Sequence, residues 1–315
     1  MDKRQEIEAC SARISDYIEH TLIMESKHIE NFLCNDLYFK CENFQKSGSF
    51  KMRGATNAIL QLSETQRAKG VITHSSGNFA HALALAAQKL GVKCYIVMPH
   101  DAPYVKKNAV LINRGEVIEC APTMDSRERV CGQWMEETGA TFIHPSNNRD
   151  VIIGQSTSAK ELLAVHPDLD VIIVPVGGGG LLAGTILAAQ VFGKEGIEVY
   201  AGEPLEADDA YQSLISGEIT FNESTNTIAD GLRTNLGDVN FPIIKEGVKG
   251  IVRVRENEII SAMRVIWERM KIIVEPSSAV ALAVLIKERP LFEGKKVGII
   301  LSGGNVDLDR LPFDK

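Results

Sequence analysis

The sequence predicts an α/β protein of two lobes, each a mostly parallel sheet flanked by helices. Three observations carry that reading. Short β-branched runs alternate with Ala- and Leu-rich stretches of helical length, the pattern of a parallel sheet covered by helices. These units come in two series along 315 residues, a length that accommodates one large or two ordinary domains. Small-residue loops, rich in Gly and Ser, join strand to helix.

The helix-like run ATNAILQL (55–62) comes first, entered from the loop KSGSFKMRGA (46–55), which sets Lys51 where loop becomes helix. The bland reading of such a lysine is a surface residue, since Lys is rarely buried without a partner. GVITH (70–74), CYIVMP (94–99) and EVIEC (116–120) then read as strands. FAHALALAAQKLG (79–91) and APYVKKNAVLINRG (102–115) read as the helices between them. The second series runs through strand DVIIVPV (170–176), glycines 177–180, helix LLAGTILAAQVFG (181–193), strand EVYAGEP (198–204) and strand KVGIILSGG (296–304). We assign residues 1–65 and 148–315 to one domain and 66–147 to the smaller one. No Pro/Ser-rich linker or repeat separates them, and the cleft between such lobes is the default small-molecule site.

Composition narrows the partners. Hydrophobic residues at 44% and charged ones at 24% are those of an ordinary globular protein. A net charge of −7 argues against nucleic acid or an anionic membrane as a partner. No apolar run approaches the length of a membrane span, and the N-terminus lacks the apolar core of a secretory signal, so the expected location is the cytoplasm. Cys10, Cys34, Cys41, Cys94, Cys120 and Cys131 show no CxxC pairing and read as reduced packing thiols.

Three loops carry the chemistry. Gly177, Gly178, Gly179 and Gly180 follow a buried-type strand and run straight into a helix. Backbone N–H groups unhindered by Cβ, with the positive end of a helix dipole, suit a phosphate; the alternative is a tight turn. The spacing matches neither GxGxxG nor the P-loop. In THSSGNF, Ser75, Ser76, Gly77 and Asn78 offer hydroxyls, an amide and free N–H groups at a helix start, suited to a carboxylate or a ring oxygen, or else simply cap the helix. SGGN repeats the architecture near the C-terminus, where Ser302 can face a ring nitrogen without supplying a charge.

Taken together, these loops, with NDLYFKCENFQKSGSFK, the HP at 144–145, ADDAYQS, TIADGL, WERMK and VEPSSA, resemble the fold type II pyridoxal-phosphate enzymes of the serine racemase and serine/threonine dehydratase family. The resemblance spans nearly the whole chain. It implies that pyridoxal 5'-phosphate sits in the cleft between the lobes and that Lys51 is the lysine that carries it and later acts as base. It further implies that Phe50 packs on the ring and Asn78 meets the ring hydroxyl. Gly177 to Gly180 and Leu181 would cradle the phosphate, and Ser302 would face the ring nitrogen. Ser75, Ser76, Asn78 and Phe79 would bind an amino-acid substrate. Ser76 takes the position of a proton-relaying serine opposite Lys51, or only binds the carboxylate. Arg127 either reaches a second substrate carboxylate, as in 3-hydroxyaspartate, or is a solvated helix arginine beside Glu128. Glu203, the Ala207 carbonyl and Asp209 stand where the family binds a divalent cation, Mg or else Ca or Mn. A homodimer is implied.

The activity so implied is an ammonia-lyase converting L-serine, L-threonine or a related β-hydroxy amino acid to a 2-oxo acid. The alternatives are a serine racemase with lyase side activity, a 3-hydroxyaspartate ammonia-lyase, a catalytically silent binding module, or cysteine synthase-type β-replacement, which the ADDAYQS motif disfavours. Phe79 stands where the loop commonly has His, Ser146 where Asn is usual, and Ser156 where Gly is usual; His81 departs from a polar residue near the family's nucleotide effector site. These departures bear on substrate choice and regulation. The chain stops soon after SGGNVDLDRLPF, which favours a catabolic or racemase-type enzyme over an isoleucine-inhibited one.

Overall fold

The computed structural model describes residues 2–33 and 35–314; Cys34 lies outside them. Among the described residues, strands β1 (Ile23–Met24), β2 (Asp36–Cys41), β3 (Val71–His74), β4 (Cys94–Pro99), β5 (Glu116–Cys120), β6 (Thr141–Phe142), β7 (Val171–Pro175), β8 (Glu198–Pro204), β9 (Gly250–Val254) and β10 (Lys296–Leu301) form two sheets. One runs β1-β2-β10-β7-β8-β9, the other β5-β4-β3-β6. Every pairing is parallel except β1 with β2. In the larger sheet Val297 lies opposite both Leu37 and Val171.

The α/β architecture predicted from sequence is therefore present, and burial explains which strands were legible. Strands β4 and β7 are buried at every position and read as unbroken apolar runs, as strands covered on both faces must. Edge strand β5 mixes buried with exposed positions, and edge strand β9 mixes buried with half-buried ones. Helices Arg149–Val165 and Pro276–Lys287 were not evident from sequence. The former, RDVIIGQSTSAKELLAV, carries Gly154, Ser156, Thr157 and Ser158 near its middle, residues that favour helix weakly; burial on most sides sustains it. Helix Tyr104–Ile112 stops short of the expected Gly115 because Arg114 turns the chain at φ 58°. No helix among the described residues is long and apolar enough to cross a membrane. Cys10, Cys41, Cys94, Cys120 and Cys131 are buried free thiols.

Two features fix the helix that begins at Lys51. Its backbone approaches helix Arg149–Val165 so closely that a Cβ on Gly154 would lie 2.5 Å from the Gly54 Cα. Helix Gly180–Phe192 packs on the other side in the same way, a Cβ on Gly184 coming within 2.7 Å of the Ile152 carbonyl. The second feature is Arg53, which is fully buried. Its guanidinium donates to Glu42 at 2.8 Å through both Nε and Nη2, to Glu161 at 2.6 and 2.8 Å, and to Thr157 Oγ1 at 3.1 Å. Lys40, also buried, reaches Glu161 at 2.6 Å and the Thr21 carbonyl at 2.7 Å. Two cations meet two carboxylates, so the buried charges are paired and their donors satisfied.

Candidate active site

The site lies where parallel α/β sheets usually bind ligands, beyond the carboxyl ends of the strands. The loop 75–78 follows β3, the glycine loop follows β7, and SGGN follows β10. The turn 144–147 follows β6. The loop leading to Lys51 is stitched to SGGN: the Phe50 N–H donates to the Ser302 carbonyl at 3.0 Å, and the Gly304 N–H to the Gly48 carbonyl at 2.9 Å.

Lys51 is half-buried, not the exposed lysine of the bland reading. Its amine donates to the Pro145 carbonyl at 2.9 Å, and its Nζ lies 5.0 Å from the Phe50 ring centroid and 5.7 Å from that of Phe79. Withdrawal from water pulls the amine down to about 8, against the opposing pull of the Glu275 carboxylate. Near that pH a large share of it is neutral. Phe79 belongs to the buried core, so the departure from His replaces a polar group with a ring that helps to keep the amine dry.

The turn beneath it has a fixed tautomer. His144 Nδ1 accepts the N–H groups of Ser146 at 3.2 Å and Asn147 at 2.7 Å, leaving its proton on Nε2. Burial, with the neighbouring charges of His74 and Lys51, pushes this imidazole down to about 4, so it stays neutral. The HP motif at 144–145 marks this turn in the sequence, but nothing local to it distinguishes His144 as a neutral acceptor.

The glycine loop is crowded on its protein side. A Cβ would lie 2.7 Å from the Leu232 Cα at Gly177, 2.4 Å from Ser146 Oγ at Gly178 and 3.0 Å from the Ser146 Cα at Gly180. Gly179 takes φ +80° and serves as N-cap. Asn240 Nδ2 holds the Gly178 carbonyl at 2.8 Å. The first helical bond runs from the Ala183 N–H to the Gly179 carbonyl, so the N–H groups of residues 180–182 have no partner within the helix. A phosphate fits this cradle.

Asn78 opens the helix Asn78–Leu90; its Nδ2 faces both carboxylate oxygens of Glu275, at 2.8 and 3.0 Å, while its Oδ1 accepts from Asn305 Nδ2 at 2.9 Å. Ser302 is buried. Ser75 Oγ accepts the Gly77 N–H at 3.4 Å, whereas the half-buried Ser76 makes no side-chain hydrogen bond among the described residues. Arg127, in the first turn of helix Met124–Thr138, is half-buried beside His74, with its Nε enclosed and without a hydrogen-bond partner among the described residues. The picture of a wholly solvated arginine does not hold for that nitrogen. Ser156 hydrogen-bonds the Ile153 carbonyl of its own helix at 2.6 Å.

A second cluster lies at the end of β8. Glu203 accepts the N–H groups of Ala210 at 2.9 Å and Tyr211 at 2.8 Å. Asp209 accepts from Asn222 Nδ2 at 2.7 Å and the Leu236 N–H at 2.9 Å. Burial raises Glu203 well above the usual carboxylate range, helped by repulsion from Asp209, which burial itself raises to about 6. Each of these carboxylate oxygens keeps a lone pair, the hard-oxygen donor type that a divalent cation takes. No group of three or more His, Cys, Asp or Glu side chains placed to share a metal occurs among the described residues.

A dry lysine, a phosphate cradle and a buried hydroxyl converge, and they fit a phosphorylated aldehyde such as pyridoxal phosphate. Comparison with known proteins agrees. A family model described as pyridoxal-phosphate dependent enzyme matches residues 14–303. The chain is 49% identical over 311 residues to the serine racemase of Dictyostelium discoideum, covering 98% of this chain and 96% of that one. It is 45% identical over 306 residues to the beta-hydroxyaspartate dehydratase of Paracoccus denitrificans, covering 97% of each. A crystal structure of serine racemase from Dictyostelium discoideum superposes with a TM-score of 0.92 at 50% identity, covering 96% of this chain and 98% of that one. The chain therefore belongs to the pyridoxal-phosphate dependent enzymes of fold type II, alongside the serine racemases and hydroxyaspartate dehydratases.

Proposed function

We propose that this chain is an ammonia-lyase for β-hydroxy amino acids, and that its preferred substrate is dicarboxylic, of the 3-hydroxyaspartate class. The observation that carries the choice is Arg127: a cation with an enclosed, unpartnered Nε attracts a carboxylate more than it does the methyl of threonine or the hydrogen of serine. Similarity to a beta-hydroxyaspartate dehydratase supports the same reading.

Bound pyridoxal phosphate supplies an electron sink for the pair left at Cα when its proton departs. The chain's own residues do the rest. The backbone N–H groups of Gly177 to Gly180 and Leu181 would hold the phosphate, Phe50 would pack on the ring, and Ser302 and Asn78 would fix its nitrogen and hydroxyl edges. The loop of Ser75, Ser76, Asn78 and Phe79 takes the α-carboxylate. Lys51, its amine neutral in part near pH 8, removes the Cα proton, and the Pro145 carbonyl holds one of its N–H bonds so that the lone pair is aimed elsewhere. Loss of that proton and of the β-hydroxyl amounts to loss of water. The enamine released takes water back, giving a 2-oxo acid and ammonia. Glu203, the Ala207 carbonyl and Asp209 would hold Mg, Ca or Mn, which would serve as a structural clamp on the loop after β8.

A second reading, racemisation, is favoured by Ser76, whose hydroxyl makes no hydrogen bond among the described residues, and by similarity to serine racemases. It shares the Cα deprotonation and differs in where a proton returns.

Substitution of Arg127 separates the substrates. Arg127→Gln is expected to raise KM for 3-hydroxyaspartate about tenfold or more, the order of one charge-assisted hydrogen bond, while changing pyruvate formation from L-serine less than about twofold. Equal losses on both substrates, or none, would remove the dicarboxylate assignment. For Ser76→Ala the expected outcome is elimination from L-serine at near the original rate with D-serine formation abolished; D-serine yield that survives would strike Ser76 as a proton relay. Exhaustive chelation with EDTA is expected to lower the thermal unfolding temperature, with recovery on adding Mg. An unchanged melting curve would mean that the Glu203 and Asp209 pair holds no ion.

A further inference from the structure

Glu275 is a buried carboxylate that none of these roles uses. It is 3% exposed, stands as N-cap of helix Pro276–Lys287, and makes no ion pair closer than 4 Å among the described residues. Besides the two contacts from Asn78, it accepts the Asn305 N–H at 3.2 Å, and its own N–H donates to the Gly303 carbonyl at 3.1 Å. Asn305 Nδ2 in turn gives 2.9 Å bonds to Asn78 Oδ1 and to the Ser47 carbonyl. One carboxylate thus joins the helix start after β3, the loop that carries Ser302, and the loop that leads to Lys51.

We propose that Glu275 is a positioning residue for the cofactor: ionised, it fixes the Asn78 amide as a donor toward the ring oxygen and holds the Ser302 loop beside it, and protonated, it lets go of one of them. The inference rests on the reading of Asn78 and Ser302 as cofactor contacts. Its logic is a count of donors and acceptors. Asn305 Nδ2 occupies Asn78 Oδ1 and so prevents the amide from flipping, which turns Nδ2 toward Glu275. An ionised carboxylate accepts from Asn78 and Asn305 together. A protonated one brings an O–H donor to oxygens already met by donors, and one of those contacts is lost.

The groups that face Glu275 place its titration in a useful range. Burial and the negative charge of Asp230 raise it, the bonds from Asn78 and Asn305 and the charge of Lys106 lower it, and the balance is about 7. The Lys51 amine feels its charge in return. Cofactor retention that depends on the ionised form is present above pH 7 and lost below it.

The test is equilibrium binding of pyridoxal phosphate to cofactor-stripped protein at pH 8.5 and pH 6, with the melting temperature of each stripped variant measured alongside. For the native chain affinity should fall about tenfold or more between the two pH values, beyond the fall seen in Glu275→Gln. Glu275→Gln should bind about tenfold more weakly at pH 8.5 and converge on the native value at pH 6. Asn305→Ala, which keeps the carboxylate, should weaken binding while retaining the native pH dependence. Equal affinity and equal pH dependence in Glu275→Gln and the native chain would overturn the inference, as would a lowered melting temperature with unchanged pH dependence. A native chain that binds no pyridoxal phosphate at either pH would overturn the functional reading itself.

Discussion

The site depends on one amine being kept out of water. A lysine in solution is protonated at neutral pH and cannot act as a base. Lys51 is offered a single backbone carbonyl and two aromatic rings in place of a hydration shell. The rings attract a cation weakly at these distances, on the order of 1 kcal/mol or less. Desolvation outweighs them, and the amine titrates near 8. Glu275 restrains the shift, so the same carboxylate that organises Asn78 also limits how far Lys51 is neutralised.

That placement needs a helix that does not drift. Arg53, two residues on, is gripped by Glu42 and Glu161, and the glycine contacts at Gly54 and Gly154 let two backbones touch. Helix Arg149–Val165 therefore lies between the Lys51 helix and the helix that begins at the glycine loop. A cost of several kcal/mol accompanies any buried charge left unpaired, so the arginine and its two glutamates hold one another in place. The proposed base and the phosphate cradle are positioned by one block of packed helices rather than by their loops alone.

What could be read from the residues in advance follows from how local each signal is. Strands β4 and β7 were legible because burial on both faces writes a continuous apolar run into the chain. The glycine loop was legible because its demand on the backbone is local. Helix Arg149–Val165 was not, since tertiary burial rather than propensity maintains it. Glu275 is not, because it acquires its character from partners far along the chain, Asn78 and Glu275 being 197 positions apart; His144 has its tautomer set by the neighbouring Ser146 and Asn147, but its neutrality comes from burial and from the distant His74 and Lys51. For Arg127 the sequence admits two readings, and the enclosure of its Nε is a property of the packed lobe alone.

The claim on which the account stands is that Lys51 carries the cofactor. Borohydride reduction of the cofactor-loaded protein, which renders the lysine attachment permanent, followed by proteolysis and peptide mass spectrometry, tests it most directly. The account predicts a single phosphopyridoxyl modification, on the peptide containing Lys51. A modification on Lys46 or another lysine, with the Lys51 peptide unmodified, would contradict it.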